Sequence, residues 1–422
     1  MYLTYLHLMV VATYNVSHMD AFKKGAVSIR RLALQEHDVS AVQMRISDSL
    51  EILFKPTRIG GLDLHNRIAM APMTRAMSPG GVPGENVARY YRRRAEGGVG
   101  LIITEGTFIP HPSAGHDENA PRIYGDDALN GWRRVVEQVH DAGARIFAQL
   151  WHVGLVRKPQ VDGVGRLYDG GPGSDDRLSP SGIIGGNGLP FERVGRPATL
   201  NEIRGAIEAY GAAACTAKAL GFDGVEIHGA HGYLIDQFLW DQTNRREDEY
   251  GGDIGRRTRF AAEVIQEIRA NVGPDFPVVL RLSTWKQQDY SARLAANPEE
   301  WAAIVRPLAG AGVDAFHLSQ RRYWEGEFGT EANLATWTKR LTGKPTITVG
   351  SITLDNSMAE MMRGEGSLPE NNLAPLLAGL ERGDFDLVAV GRALIANPDW
   401  PHRVRNGTPF VPYSLSMLRT LV

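Results

Sequence analysis

From about residue 66 onward, short apolar runs alternate with longer segments whose apolar positions recur every three or four residues. Runs of four to six residues bounded by glycine, proline or aspartate predict buried strands, and the 3.6-residue period predicts amphipathic helices. The strand candidates are 67–71, 100–105, 146–151, 224–228, 277–282, 315–319, 345–349 and 386–390. Helical patterns cover 86–96, 127–142, 201–220, 255–270 and 298–309 between them. Strands followed in this way by helices predict an α/β protein, a (β/α)8 TIM barrel rather than an open sheet. The Gly/Pro-rich stretch 161–197, after the third strand, breaks the rhythm and is expected to be a lid or hairpin inserted over the barrel mouth.

Residues 1–50 lack this rhythm and are expected to form an N-terminal extension outside the fold, leaving 51–422 as a single barrel domain. Met44 stands shortly before Leu53-Phe54-Lys55-Pro56, so translation is expected to be able to begin there, with 1–43 dispensable.

Composition narrows the function. A 422-residue chain with 43% apolar residues and a net charge of −2 has the balance of an ordinary globular protein. It has no basic stripe for nucleic acid. One cysteine, Cys215, excludes a disulfide framework and a cysteine-ligated iron–sulfur cluster within this chain. No apolar run reaches membrane-spanning length, and the apolar first twelve residues lack the basic region and cleavage site of a secretory signal. The expectation is a cytoplasmic protein with a small-molecule substrate and neither membrane nor nucleic acid as partner; homo-oligomerisation stays open.

The most informative chemistry lies in Gly224-Val225-Glu226-Ile227-His228-Gly229-Ala230-His231-Gly232-Tyr233. Alternation places Glu226 and His228 on one face of the fourth strand, and a glycine-rich turn then carries His231 and Tyr233. Two hydrogen-bond donors beside a proton source can polarise a carbonyl and protonate a neighbouring carbon. The bland alternative is a buried histidine with a loop histidine and a core tyrosine. Zinc fits poorly, since His-x-x-His supplies only two ligands, and no metal is expected. Gln149, Glu226, His228 and Arg281 lie on strands whose opposite faces are apolar, and such groups inside a barrel must pair or face a ligand. A Glu226–Arg281 ion pair would account for part of this set. Strands seven and eight end in Val349-Gly350-Ser351 and Val390-Gly391-Arg392, where this architecture binds phosphate: glycines admit backbone N–H groups to the oxygens and a cation neutralises them.

Taken together these residues resemble the Old Yellow Enzyme family of FMN-dependent ene-reductases. The resemblance runs from about Phe54 to Arg405. It rests on Asn66-Arg67-Ile68-Ala69-Met70-Ala71-Pro72-Met73-Thr74-Arg75, Ile103-Thr104-Glu105-Gly106, Ala148-Gln149-Leu150-Trp151, the His/His/Tyr run, Leu280-Arg281-Leu282-Ser283 and Val390-Gly391-Arg392. The resemblance implies non-covalent FMN, with NAD(P)H as reductant. It implies that Pro72, Met73 and Thr74 pack on the flavin, with Thr74 where one branch of the family has cysteine, and that Gly106 permits close approach. Gln149 and Arg281 then meet the pyrimidine edge, and Gly350, Ser351, Gly391 and Arg392 the phosphate. His228 and His231 would hold the oxygen of an enone or nitro substrate, Tyr233 would protonate the α-carbon, and Trp151 would line the pocket. The implied activity is ping-pong reduction of activated C=C bonds in α,β-unsaturated carbonyl compounds.

Several positions depart from the family pattern. His116 replaces a tyrosine near the substrate, 320–324 is bulky and basic, and 360–372 reads as an insertion without an inferred role. Phe410 and Tyr413 both qualify as the C-terminal aromatic that closes the pocket. The rivals are a flavin-free phosphosugar isomerase or aldolase on the same barrel and a non-catalytic FMN-binding protein. A larger branch of the family, with an iron–sulfur cluster and a second nucleotide-binding domain, is disfavoured by the single cysteine.

Overall fold

A computed structural model describes residues 49–156, 160–161, 167–168, 177–186, 189–363 and 366–421. Residues 1–48, which carry the expectation about the N-terminal extension and Met44, lie outside the described residues, as does most of 157–176.

The expected strands all form and close into one parallel barrel. They are β1 (Ile68–Met70), β2 (Leu101–Phe108), β3 (Arg145–Trp151), β4 (Gly224–His228), β5 (Val278–Ser283), β6 (Ala315–Ser319), β7 (Thr346–Val349) and β8 (Leu387–Val390). Each pairs with the next in sequence, and β8 pairs with β1 to shut the ring. The helices are α1 (Glu85–Glu96), α2 (Asp126–Asp141), α3 (Leu200–Ala219), α4 (Leu234–Leu239), α5 (Ile254–Val272), α6 (Pro298–Gly310), α7 (Leu334–Thr342), α8 (Met358–Met362), α9 (Leu373–Arg382), α10 (Arg392–Ala396) and α11 (Trp400–Asn406). Local chemistry fixes their ends: Thr199 and Glu202 form a capping box at the start of α3, and Asn297 caps α6 ahead of Pro298.

Several boundaries differ from expectation, three of them for identifiable physical reasons. β5 and β7 begin one residue late, at Val278 and Thr346, because Pro277 and Pro345 have no N–H for the ladder. β2 extends to Phe108, because a register shift between Ile103 and Gly106 lets it keep pairing with β3 until Phe108 stands opposite Trp151.

Side-chain alternation divides the strands between two cores. Met70, Ile102, Leu150, Ile227, Leu280 and Leu318 belong to the larger cluster shared with the helices. Ala69, Leu101, Ile103, Phe147, Val279 and Ala315 form the inner cluster, which Ile59 and Leu64 join from an antiparallel hairpin of Thr57–Ile59 with Leu62–Leu64. Phe147 fills the interior at the level of Gly224, where an added Cβ would lie 2.6 Å from its ring. The inner barrel is therefore packed, and chemistry is confined to its rim.

Part of the 161–197 insertion forms a hairpin of Ile183–Gly186 with Leu189–Arg193. Phe191 meets Trp240 edge-on at 5.0 Å, and Ser181 Oγ accepts from Arg245 N–H at 2.8 Å. The hairpin thus packs against the segment that follows α4. The basic run after β6 has a structural explanation: Arg321 donates to the carbonyls of Thr284, Tyr290 and Ala292, strapping the β5–α6 loop in place. Within 360–372, Ser367 bridges to Tyr413 and donates to Asn356 Oδ1, and Asn372 accepts from Thr353 N–H, so this stretch buttresses the loop after β7. Among the described residues no helix is long and apolar enough to cross a membrane.

Candidate active site at the barrel mouth

Adjacent strands bring polar side chains to the inner face at matching heights. Gln149 on β3 stands opposite Glu226 on β4, His228 opposite Arg281 on β5, Arg281 opposite His317 on β6, and Ser283 opposite Ser319. The Glu226 carboxylate accepts from Gln149 Nε2 at 2.8 Å and from His317 Nδ1 at 2.6 Å. The Glu226–Arg281 ion pair considered from sequence is therefore replaced by a Gln149–Glu226–His317 chain. Arg281, only 6% exposed, keeps one long contact among the described residues, Nη1 to the Pro72 carbonyl at 3.4 Å, and its Nε has no partner among them.

The turn after β4 gathers the rest. Ala230 N–H donates to His228 Nδ1 at 3.3 Å, which makes Nε2 the protonated, outward-facing donor. His231 occupies the left-handed region with φ of 64°. Its N–H is held by Ser283 Oγ at 2.9 Å, its Nε2 shares a hydrogen with Ser319 Oγ at 2.8 Å, and its ring stacks on Trp285 at 4.2 Å. Tyr233 takes the N-cap position of α4, but its side chain caps nothing; the phenol instead meets Gln287. Ring centroids of His228 lie 5.2 Å from His231 and 4.8 Å from Tyr233. Trp151 stacks on Phe108 and stands edge-on to Tyr233 at 5.1 Å. A salt bridge with both side chains fully buried, Lys286 Nζ to Asp236 Oδ1 at 2.7 Å, sits beneath the turn, and Asp236 Oδ2 accepts from Gly232 N–H.

Burial dominates the electrostatics. It lowers both imidazoles well below their ordinary value, with Arg281 adding to the effect, so His228 and His231 are neutral rather than cationic. Burial likewise raises the Tyr233 phenol, partly offset by the bond from Gln287, so its proton is in place at neutral pH.

The rest of the mouth holds the remaining predicted residues. Gly391 abuts Met73: a Cβ built on it would stand 3.7 Å from Met73 Sδ. Pro72 is buried, while Thr74 is exposed. Ser351, at φ of 54°, turns its hydroxyl to the Asn356 carbonyl, and Gly350 packs against the backbone of the β6–α7 loop. The Arg392 guanidinium is occupied within the protein, donating to Asn356 Oδ1 and its carbonyl at 2.8 Å and to Ser367 Oγ at 2.9 Å. Gly106 is required by Trp151, whose ring would lie 2.6 Å from an added Cβ. Phe410 stacks on Trp400, whereas Tyr413 is buried with its hydroxyl 3.7 Å from Met361 Sδ.

A flavin fits the unpartnered groups. A buried guanidinium whose Nε lacks an acceptor calls for one, and carbonyl and ring-nitrogen acceptors along a heterocycle edge supply it. Gln149 gives one amide N–H to Glu226, which leaves its second N–H and its amide oxygen for such an edge. Sequence reasoning missed His317, Ser319, Trp285, Gln287 and the Asp236–Lys286 pair. The parity of β6 could have revealed His317 and Ser319, whereas nothing local announces the loop residues.

Comparison with known proteins agrees with this geometry. Residues 52–368 match the NADH:flavin oxidoreductase / NADH oxidase family. A chanoclavine-I aldehyde reductase of Penicillium roqueforti is 36% identical, with 86% of this chain and 91% of that protein covered. 12-Oxophytodienoate reductase 2 of Arabidopsis thaliana is 32% identical over 87% of this chain and 92% of its own length. An NADH oxidase of Thermoanaerobacter brockii is 36% identical over 84% of this chain, which spans 51% of that larger protein. Among solved structures, morphinone reductase in complex with tetrahydroNAD superposes with a TM-score of 0.70 at 31% identity, covering 87% and 93% of the two chains.

Proposed function

The chain belongs to the NADH:flavin oxidoreductase / NADH oxidase family, the Old Yellow Enzyme family its motifs resemble, and from that premise we propose that it reduces the C=C bond of α,β-unsaturated aldehydes or ketones in a ping-pong cycle with NAD(P)H. The observation that carries this reading is the convergence of His228, His231 and Tyr233 at one strand end, beside a buried and under-partnered Arg281.

The chemistry that bound FMN would supply here is hydride transfer to the activated C=C bond. Arg281 and the Gln149 amide would hold the flavin's pyrimidine edge, Pro72, Met73 and Thr74 its ring face, and the loops of Gly350, Ser351, Gly391 and Arg392 its phosphate. The Arg392 side chain is anchored to Asn356 and Ser367, so its part there is to shape the loop and provide positive potential. His228 Nε2–H and the adjacent His231 polarise the substrate oxygen as neutral donors, which stabilise a developing enolate without first surrendering a proton. Tyr233 then delivers its phenolic proton to the α-carbon. Trp151, wedged between Phe108 and Tyr233, sets which substrate faces fit. The described hairpin of the 161–197 insertion would serve as a lid over the mouth, and pocket loops would set the choice between NADH and NADPH.

Two measurements test the reading. Replacing both His228 and His231 by Ala is expected to abolish the long-wavelength band produced when a para-substituted phenol binds the oxidised holoenzyme; a persisting band would refute the oxygen anchor. Tyr233→Phe should slow re-oxidation by an enone roughly 100-fold or more, in the range of general-acid contributions, while reduction by NAD(P)H changes little. Equal loss in both half-reactions would remove Tyr233 from its role.

A further inference from the structure

The loop after β5 runs beside the turn after β4, and one of its side chains reaches the phenol. Gln287 Nε2 donates to Tyr233 Oη at 2.5 Å. The loop is fixed where this happens. Gln287 N–H bonds the His231 carbonyl at 3.3 Å, Lys286 is locked to Asp236, and Arg321 ties the carbonyls of Thr284, Tyr290 and Ala292. A phenol oxygen that accepts from an amide must aim its own hydrogen elsewhere. The Tyr233 ring stands beside His228 and Trp151, on the side where the proposed substrate space lies.

We infer that Gln287 is a positioning residue for the proton transfer, orienting the Tyr233 O–H toward the substrate α-carbon and stabilising the tyrosinate that remains. This rests on Tyr233 being the acid. In the step, the Tyr233 O–H bond breaks, the electron pair of the enolate α-carbon forms the new C–H bond, and the phenolate regains a proton from water. The amide bond strengthens as the oxygen becomes anionic, so its effect is larger in the transition state than before it.

The test compares Gln287→Leu, Gln287→Glu and Tyr233→Phe holoenzymes, singly and with Gln287→Leu combined with Tyr233→Phe. Re-oxidation by an enone is followed with reduction by NAD(P)H as internal reference, and the Tyr233 phenol is titrated by NMR of ring-labelled tyrosine. Gln287→Leu should slow re-oxidation roughly tenfold, the scale of one hydrogen bond to a charged group, and raise the phenol pKa. It should add no further loss in the Tyr233→Phe background, which a merely structural role would. Gln287→Glu, whose carboxylate would accept from the phenol instead of donating to it, should slow re-oxidation at least as much and raise the phenol pKa further, which guards against a packing defect in Gln287→Leu. If Tyr233→Phe is slow but the Gln287 variants re-oxidise normally, this inference falls and the acid assignment stands. A phenol pKa that drops in Gln287→Leu, as when the amide oxygen faces the phenol, also overturns it. If Tyr233→Phe itself is unimpaired, the acid assignment fails first.

Discussion

At the scale of single residues, burial is the leading influence on the titrating groups around the barrel mouth. Glu105 shows it away from the reacting groups. Its carboxylate accepts from the backbone N–H of Arg75 at 2.8 Å and of Ala76 at 2.9 Å, yet desolvation outweighs these bonds and raises its pKa from 4.5 to about 7. Between those values the folded chain holds a proton that the unfolded chain has released, so this group makes stability fall as pH rises through the window. The buried histidines act in the opposite sense: their folded pKa lies below 6.5, and the stability linked to it is present above that value and lost as pH falls. Comparing Glu105→Gln with the parent isolates the carboxylate. Between pH 5.5 and 8 the variant should gain about 2 kcal/mol relative to the parent, measured by urea unfolding at both pH values. Identical pH slopes in the two proteins would show that Glu105 is ionised throughout.

At the scale of elements, the β4–α4 turn is held from below rather than by its own sequence. Asp236 clamps Gly232 N–H and is neutralised by Lys286 from the β5–α6 loop, both inaccessible to water. Gly232, at φ of 83°, lies in the left-handed region that strains any residue with a side chain, and an added Cβ would also displace the Gln288 amide. Breaking the pair from one side leaves a buried charge without its partner. Asp236→Asn or Lys286→Met alone should cost about 3–5 kcal/mol in urea unfolding, and the double variant less than their sum. Strict additivity would mean that the pair does not hold the turn. The single variants should also weaken phenol binding, because His231 is carried by the same turn.

At the scale of the whole molecule, the barrel is closed at its base by the short hairpin that places Ile59 and Leu64, 0% and 1% exposed, into the inner cluster. The mouth can be polar because the base and middle are filled by apolar side chains. Removing either plug residue opens a cavity that the parallel strands cannot collapse around. Ile59→Ala or Leu64→Ala should cost about 2–5 kcal/mol, read as a lowered unfolding midpoint, without altering the response to phenol. A variant that loses phenol binding while keeping its midpoint would instead tie the hairpin to the site.

The strand order and the helix ring were legible in the sequence, because hydrophobic period is a local property that burial on two faces imposes on every strand. The motif residues were legible for a related reason: His228 and Arg281 lie on strands, where parity fixes the face, and His231 and Tyr233 follow in a turn too short to carry them away. Tertiary structure alone decided the partners. Glu226 chose Gln149 and His317 over Arg281, Arg392 settled on Asn356 and Ser367, and the phenol of Tyr233 found Gln287. Each of these bonds joins segments remote in sequence, and which donor reaches which acceptor depends on register and loop path that no local pattern encodes. The sequence determined which groups face the mouth; the closed barrel determined which of them are already satisfied and which are left to bind.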